Sequence, residues 1–163
     1  MATRKRIYSE NKTHFVTFSV YKHINVFRNG LVAEEFIENL NFYIRKHKCK
    51  MYAYVIMPNH VHLLVKLNDN ENISDLIRDI KKYFSYRVKN LLSKMTESDL
   101  KIFNNKGKYQ FWERGFDELT IRSERVFDIK FQYIINNPVK AGLVNNAGDY
   151  PFLNIGEFDE MGI

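Results

Sequence analysis

Cysteine is almost absent. Cys49 is the only one in 163 residues, so no internal disulfide can form, and a reducing cytoplasm is the expected compartment. Long apolar runs are missing too: none approaches the roughly 20 residues that cross a bilayer, so no membrane partner is expected. The start, Met1-Ala2-Thr3-Arg4-Lys5-Arg6, is basic but leads into no apolar signal core, and secretion is not expected. There is no internal repeat, no low-complexity tract and no break in composition that would mark a second domain.

What is present suits one folded domain over residues 1–163, with a core from about 14 to 144, a short basic N-terminal arm and a C-terminal tail. The chain is 45% hydrophobic and 15% aromatic, which excludes disorder. Its net charge of +6 favours an anionic partner, nucleic acid being the commonest for a basic protein, although charge of this size also serves solubility alone.

The densest chemistry lies in Tyr54 to Leu67. Val61, Leu63, Val65 and Leu67 take one parity; His60, His62, Leu64 and Lys66 take the other. That alternation is a strand with a buried face, and residues two apart on a strand project to the same side. The two imidazoles are therefore neighbours and can supply part of a divalent metal site. The tripeptide alone would equally suit a half-buried strand carrying two satisfied histidines.

Around it the pattern gives a first strand over His14 to Tyr21 and a first amphipathic helix over Leu31 to Lys48. A second strand, Met51 to Met57, is joined by Pro58-Asn59 turn chemistry to the histidine strand in a tight hairpin. A second helix over Ile73 to Leu92 has an apolar stripe and, opposite, a basic one that includes Arg78, Lys81 and Lys82, able to track a phosphate backbone. Lys94 to Lys108 reads as an exposed connection, and Tyr109 to Arg122 returns to strand character, interrupted near Gly115. A third helix starts at the N-cap Ser123 and is expected to end by Asn137, since Pro138 disfavours helix in the residue before it. This order is the split βαβ, ferredoxin-like βαββαβ arrangement: an α+β sandwich with an antiparallel sheet and an additional C-terminal helix. If Val61, Leu63 and Val65 lie under the first two helices, the histidines face the third.

On that third helix Lys130, Tyr133 and Asn137 fall at spacings of three and four, on one side. If they reach a metal held by the histidines, Asn137 can offer its carbonyl oxygen as a further ligand, and Lys130 can stabilise charge on phosphate or phenolate. Taken singly, a tyrosine among ten and an asparagine before a proline need no such role.

The block MPNHVHLLV (57–65), followed downstream by YIINNPVKAGLV (133–144), resembles the HUH-class single-tyrosine transposases of bacterial insertion sequences. It is nearest the REP-associated tyrosine transposase branch, where Asn-Pro-Val and Ala-Gly-Leu-Val follow the tyrosine. Phe111-Trp112-Glu113-Arg114-Gly115-Phe116 and the basic second helix fit the same family. The resemblance runs from about Phe15 to Val144. It implies that His60 and His62 are metal ligands, that Tyr133 is the nucleophile, and that Asn137 completes the metal site where insertion-sequence members carry Gln. One departure is at Glu118-Leu119-Thr120-Ile121-Arg122, where many relatives place Asp-His before Ile-Arg.

The resemblance implies metal-dependent cleavage and rejoining of single-stranded DNA with Mg²⁺ or Mn²⁺, through a 5′-phosphotyrosine and a free 3′-OH. The expected substrates are palindromic ends folded into hairpins, the expected location is the bacterial nucleoid, and the family includes homodimers. Arg4, Lys5, Arg6, Arg78, Lys81, Lys82, Arg122 and Lys130 are the candidate DNA contacts. Two rival readings are a non-catalytic single-stranded nucleic-acid-binding module on the same scaffold and a metal-dependent nuclease in which water attacks.

Overall fold

In a computed structural model, residues 12–95 and 97–156 are described. The chain runs β1 (Thr13–Ser19), α1 (Gly30–Lys46), β2 (Lys50–Ile56), β3 (His60–Lys66), α2 (Ile73–Met95), α3 (Glu97–Lys101), β4 (Asn104–Asn105), β5 (Lys108–Tyr109), β6 (Asp117–Thr120), α4 (Glu124–Lys140) and β7 (Leu153–Ile155). Five strands form one sheet in the order β6-β1-β3-β2-β7, every neighbouring pair antiparallel. Its first four strands are the expected ferredoxin-like sheet. Among the described residues no helix is long and apolar enough to cross a membrane.

Strand alternation sorts the sheet into two buried faces. Val61, Leu63 and Val65 pack with Val32, Phe36 and Leu40 of α1 and with Ile77, Ile80 and Phe84 of α2. On the other face Phe15, Val55 and Leu64 pack with Phe127 and Ile134 of α4. Each fully buried aliphatic or aromatic side chain contributes about 1.5–3 kcal/mol through removal from water. Because both faces are buried, a one-residue slip of β3 would drive its histidines into the α1/α2 core, so packing fixes the register.

Local chemistry sets the helix ends. The Asn29 side chain accepts from the Leu31 amide, 3.0 Å, and opens α1; Ser123 accepts from the Val126 amide, 3.2 Å, and opens α4. The expected stop of α4 at Asn137 is corrected: the helix continues through Pro138 to Lys140. Pro138 lacks only its own donor, and the last turn is closed by Ala141 N–H to the Asn137 carbonyl (3.0 Å) and Leu143 N–H to the Pro138 carbonyl (3.0 Å). Pro138 is also buried, so packing favours this extra turn.

Two other expectations change. The segment from Lys94 to Lys108 is not merely an exposed connection: it carries α3 and the β4/β5 hairpin, and it buries Phe103 stacked on Phe111 with ring centroids 4.9 Å apart. The core does not stop near Val144 either. The tail returns as β7 along the edge of β2, with the Tyr150 hydroxyl donating to the Ile56 carbonyl at 2.6 Å. Between Tyr109 and Arg122 the ladder is limited to the ends, with Gly115 at φ +73° in a loop between them and a lone bridge from Trp112 to Val20.

Candidate active site

His60 and His62 leave β3 on the face turned to α4. Their ring centroids are 4.7 Å apart, nearly perpendicular at 80°. The Tyr133 ring of α4 meets the His62 ring edge-on at 5.2 Å, and Phe15 stacks on His62 at 5.5 Å. Sheet and helix thus bring the imidazole pair and the phenol together, although they are 71 positions apart in sequence, from residue 62 to 133.

Each imidazole is held by its Nδ1. His60 Nδ1 lies 2.6 Å from Asn59 Oδ1, while the Asn59 amide nitrogen donates to the His23 carbonyl. A carbonyl oxygen can only accept, so His60 carries its proton on Nδ1 and keeps the Nε2 lone pair. His62 Nδ1 lies 2.7 Å from Thr17 Oγ1, the residue directly opposite it on β1. When Nδ1 donates to that hydroxyl, His62 also keeps a lone pair on Nε2. That atom is buried and has no hydrogen-bond partner among the described residues. Leaving it so costs about 1–3 kcal/mol, which a bound ligand would offset.

Electrostatics keep both rings neutral. Burial pushes His62 down to about 3, with the neighbouring His60 and the Lys130 ammonium adding to the effect. Burial likewise lowers His60, helped by His23. Neutral imidazole is the form that ligates a metal.

Among the described residues no cluster of three or more His, Cys, Asp or Glu is placed to hold an ion. Asn137, one turn beyond Tyr133 on α4, is half-buried. Two neighbouring neutral imidazoles, one with a buried and unpartnered Nε2, fit part of the coordination shell of a divalent cation.

Lys130 also reaches this place. Its Nζ sits 4.8 Å from the Phe15 ring centroid and 5.5 Å from that of Tyr133. Tyr133 is 40% exposed, against 4% for His62, so the phenol stands at the mouth of the site. On its outer side a hollow of about 450 Å³ is lined by Ile129, Gln132, Asn136 and Lys140.

The other expected DNA contacts show no contact with these side chains among the described residues. Arg78 is exposed and paired with Asp75 and Asp79. Lys81 is half-buried, its ammonium donating to the carbonyls of Glu113 (2.9 Å) and Gly115 (2.6 Å), so it holds a loop. Lys82 and Arg122 are exposed, and Arg4, Lys5 and Arg6 lie outside the described residues. Sequence reasoning missed Phe15, Thr17 and Asn59 as partners of the histidines. Phe15 and Thr17 share one parity of β1, but only the β1/β3 register shows that this parity meets the histidines. Asn59 was legible only as a turn residue.

Comparison with known proteins identifies the family. The family model described as "Transposase IS200 like" matches residues 7–137. A Haemophilus influenzae protein provisionally named a REP-associated tyrosine transposase is 32% identical over 117 residues, and the REP-associated tyrosine transposase of Escherichia coli is 28% identical over 109. Each alignment covers 66% of this chain but only 62% and 55% of those proteins, so the chain spans under two thirds of their length. Among solved structures, a REP-associated tyrosine transposase bound to a REP hairpin superposes with a TM-score of 0.70 at 23% identity, covering 88% of this chain and 76% of that one. A provisionally named transposase of Deinococcus radiodurans gives 0.55 at 19%, covering 76% and 88%. At such identities the likeness is one of fold.

Proposed function

Since the chain belongs to the IS200-like transposase family, we propose that it cuts and rejoins single-stranded DNA at hairpin-forming ends, with Tyr133 as nucleophile. One observation carries the reading: the Tyr133 ring lies against His62, whose buried Nε2 has no partner among the described residues.

The phenol oxygen of Tyr133 attacks a backbone phosphorus. The new bond is tyrosyl oxygen to phosphorus; the bond that breaks is phosphorus to O3′. The phenolic proton ends on the departing O3′, leaving a free 3′-OH and a 5′-phosphotyrosine. Attack by a 3′-OH on that phosphorus reverses the step, releasing the phenol and sealing a strand without an external energy source. The 40% exposure of Tyr133 leaves room for in-line approach, which a flexible single strand can adopt.

A Mg²⁺ or Mn²⁺ ion held by Nε2 of His60 and His62 and by the Asn137 carbonyl would supply positive charge against a non-bridging phosphate oxygen. Asn59 holds His60 in the ligating tautomer, and the Thr17 hydroxyl orients His62 and can accept from its Nδ1. Lys130, beside both Tyr133 and Phe15, stabilises negative charge as it builds on the phosphoryl group. The water-attack reading leaves the placement of Tyr133 without a role.

The test is a covalent adduct assay with labelled single strands that carry a hairpin. Wild-type protein should give a band that survives denaturation, lost in chelator and lost in Tyr133→Phe, while Tyr133→Phe still binds the DNA. Cleavage with no adduct and a free 5′-phosphate product would replace this mechanism with hydrolysis.

A further inference from the structure

On the sheet face opposite the histidines, α2 and the segment 109–116 enclose a groove of about 480 Å³. It falls in the range of small-ligand sites, about 300–1,000 Å³. Its wall is apolar and aromatic, formed by Ile77, Trp112 and Phe116, and its rim is cationic, with Arg78, Lys82 and Arg114. We propose that this groove is a second DNA site, which takes an unpaired nucleotide with its base against the aromatic wall and its phosphate between Lys82 and Arg114. It rests on the transposase reading only for the choice of DNA as the polymer.

The groove is built in advance. The Trp112 indole N–H donates to the Lys81 carbonyl at 3.1 Å, and the Tyr109 hydroxyl donates to the Ser85 carbonyl at 3.0 Å. The Lys81 ammonium clamps the carbonyls on both sides of Arg114. That clamp fixes the backbone from which Arg114 projects, and Gly115, at φ +73°, supplies the turn it requires.

Charge selects the occupant. The one carboxylate on the lining, Glu113, accepts the Lys22 backbone N–H at 2.6 Å. Arg78 is neutralised by Asp75 and Asp79, but Lys82 and Arg114 are exposed and have no acidic partner among the described residues. Cations beside aromatic faces are the recognition chemistry of single-stranded nucleic acid, in which bases stack and phosphates pair. An acidic peptide would satisfy the rim but not the wall. The groove's inner wall is tied to the strand that carries Thr17: Glu113 N–H donates to the Ser19 carbonyl, and Ser19 faces His60 across β1 and β3. DNA held there would flank the segment being cut rather than compete with it.

Trp112 is the only tryptophan in the chain, so its emission reports this groove alone. Full-length protein in chelator should be titrated with an unpaired fluorescein-labelled octathymidylate, reading anisotropy and Trp112 emission together. Saturable quenching that tracks anisotropy is expected. The surface variant Lys82→Glu/Arg114→Glu should weaken both at least tenfold with an unchanged melting temperature, and Tyr133→Phe should leave both unaltered. Equal binding by the double variant overturns the proposal, as does equal quenching by a hexaglutamate peptide at the same concentration. An adduct that persists in Tyr133→Phe would sink the cleavage mechanism and leave the groove standing; wild-type quenching and affinity in the double variant would do the reverse.

Discussion

Thr17 and His62 face each other across β1 and β3, and the Thr17 hydroxyl meets His62 Nδ1 at 2.7 Å. In metal sites this kind of outer contact sets ring orientation and tautomer, and its loss typically lowers metal affinity 10–100-fold. Thr17→Val keeps the shape and removes the contact. Its Mn²⁺ affinity, measured by calorimetry or electron paramagnetic resonance without DNA, should fall about 10–100-fold, and Thr17→Ser should restore most of it. Wild-type affinity in Thr17→Val would mean that stacking on Phe15 alone orients the ring.

Lys130 has its ammonium over both Phe15 and Tyr133. If it meets charge that develops on the transferred phosphoryl group, Lys130→Met should slow adduct formation about 100-fold or more while changing DNA affinity little. Single-turnover rates at saturating DNA separate the two. A variant that merely binds DNA more weakly would make Lys130 a backbone contact.

His47 offers a prediction about stability rather than chemistry. It closes α1 and hydrogen-bonds Glu71, in the loop between β3 and α2, and Asp79 of α2, the latter at 2.9 Å. Burial pulls its pKa down, but the hydrogen bonds to Glu71 and Asp79 outweigh that, and the net shift is upward. A raised folded-state pKa means the contribution is complete below the unfolded value, about 6.5, and fades as pH rises through the folded value. Urea midpoints should therefore fall between pH 6 and pH 8.5, and His47→Gln should flatten that slope. An identical slope in the variant would assign the pH dependence elsewhere.

The parity of β3 and the i, i+3 spacing of Lys130 and Tyr133 made it readable in advance that these side chains could meet, because strand and helix periodicities are local. Thr17 was not readable, since cross-strand register is a property of the assembled sheet; Asn59, beside His60 in the chain, read only as turn chemistry because the turn hides which way its side chain points. Phe103 and the residues of β7 failed for a related reason. Short elements bury too few side chains to show a period, and they are held by contacts outside themselves: Phe103 on Phe111 across the β4/β5 hairpin, β7 on the distant edge of β2. Lys81 shows the limit of charge patterns: a lysine on a basic stripe became a loop clamp because two carbonyls lay within reach.

The edge of β2 gives the last prediction. β2 adjoins the histidine strand, and without β7 its outer side would present unpaired backbone groups, an invitation to pair with other chains. β7 covers it, and Gly156 secures the end of the cover by donating its N–H to the Tyr52 carbonyl at 2.8 Å. A Cβ on Gly156 would overlap the Met51 carbonyl oxygen, which is backbone and has no rotamer to escape into. Gly156→Ala should therefore detach the end of β7 and cost about 1–3 kcal/mol, as overpacking does. The loss should appear as a lower urea midpoint, faster amide exchange at 153–156 and more concentration-dependent association. Gly156→Ala with wild-type exchange there would show that this strand end shifts aside without loss. Tyr150→Phe, which removes only the hydroxyl bonded to the Ile56 carbonyl, should cost about 0.5–1.5 kcal/mol and leave association unchanged.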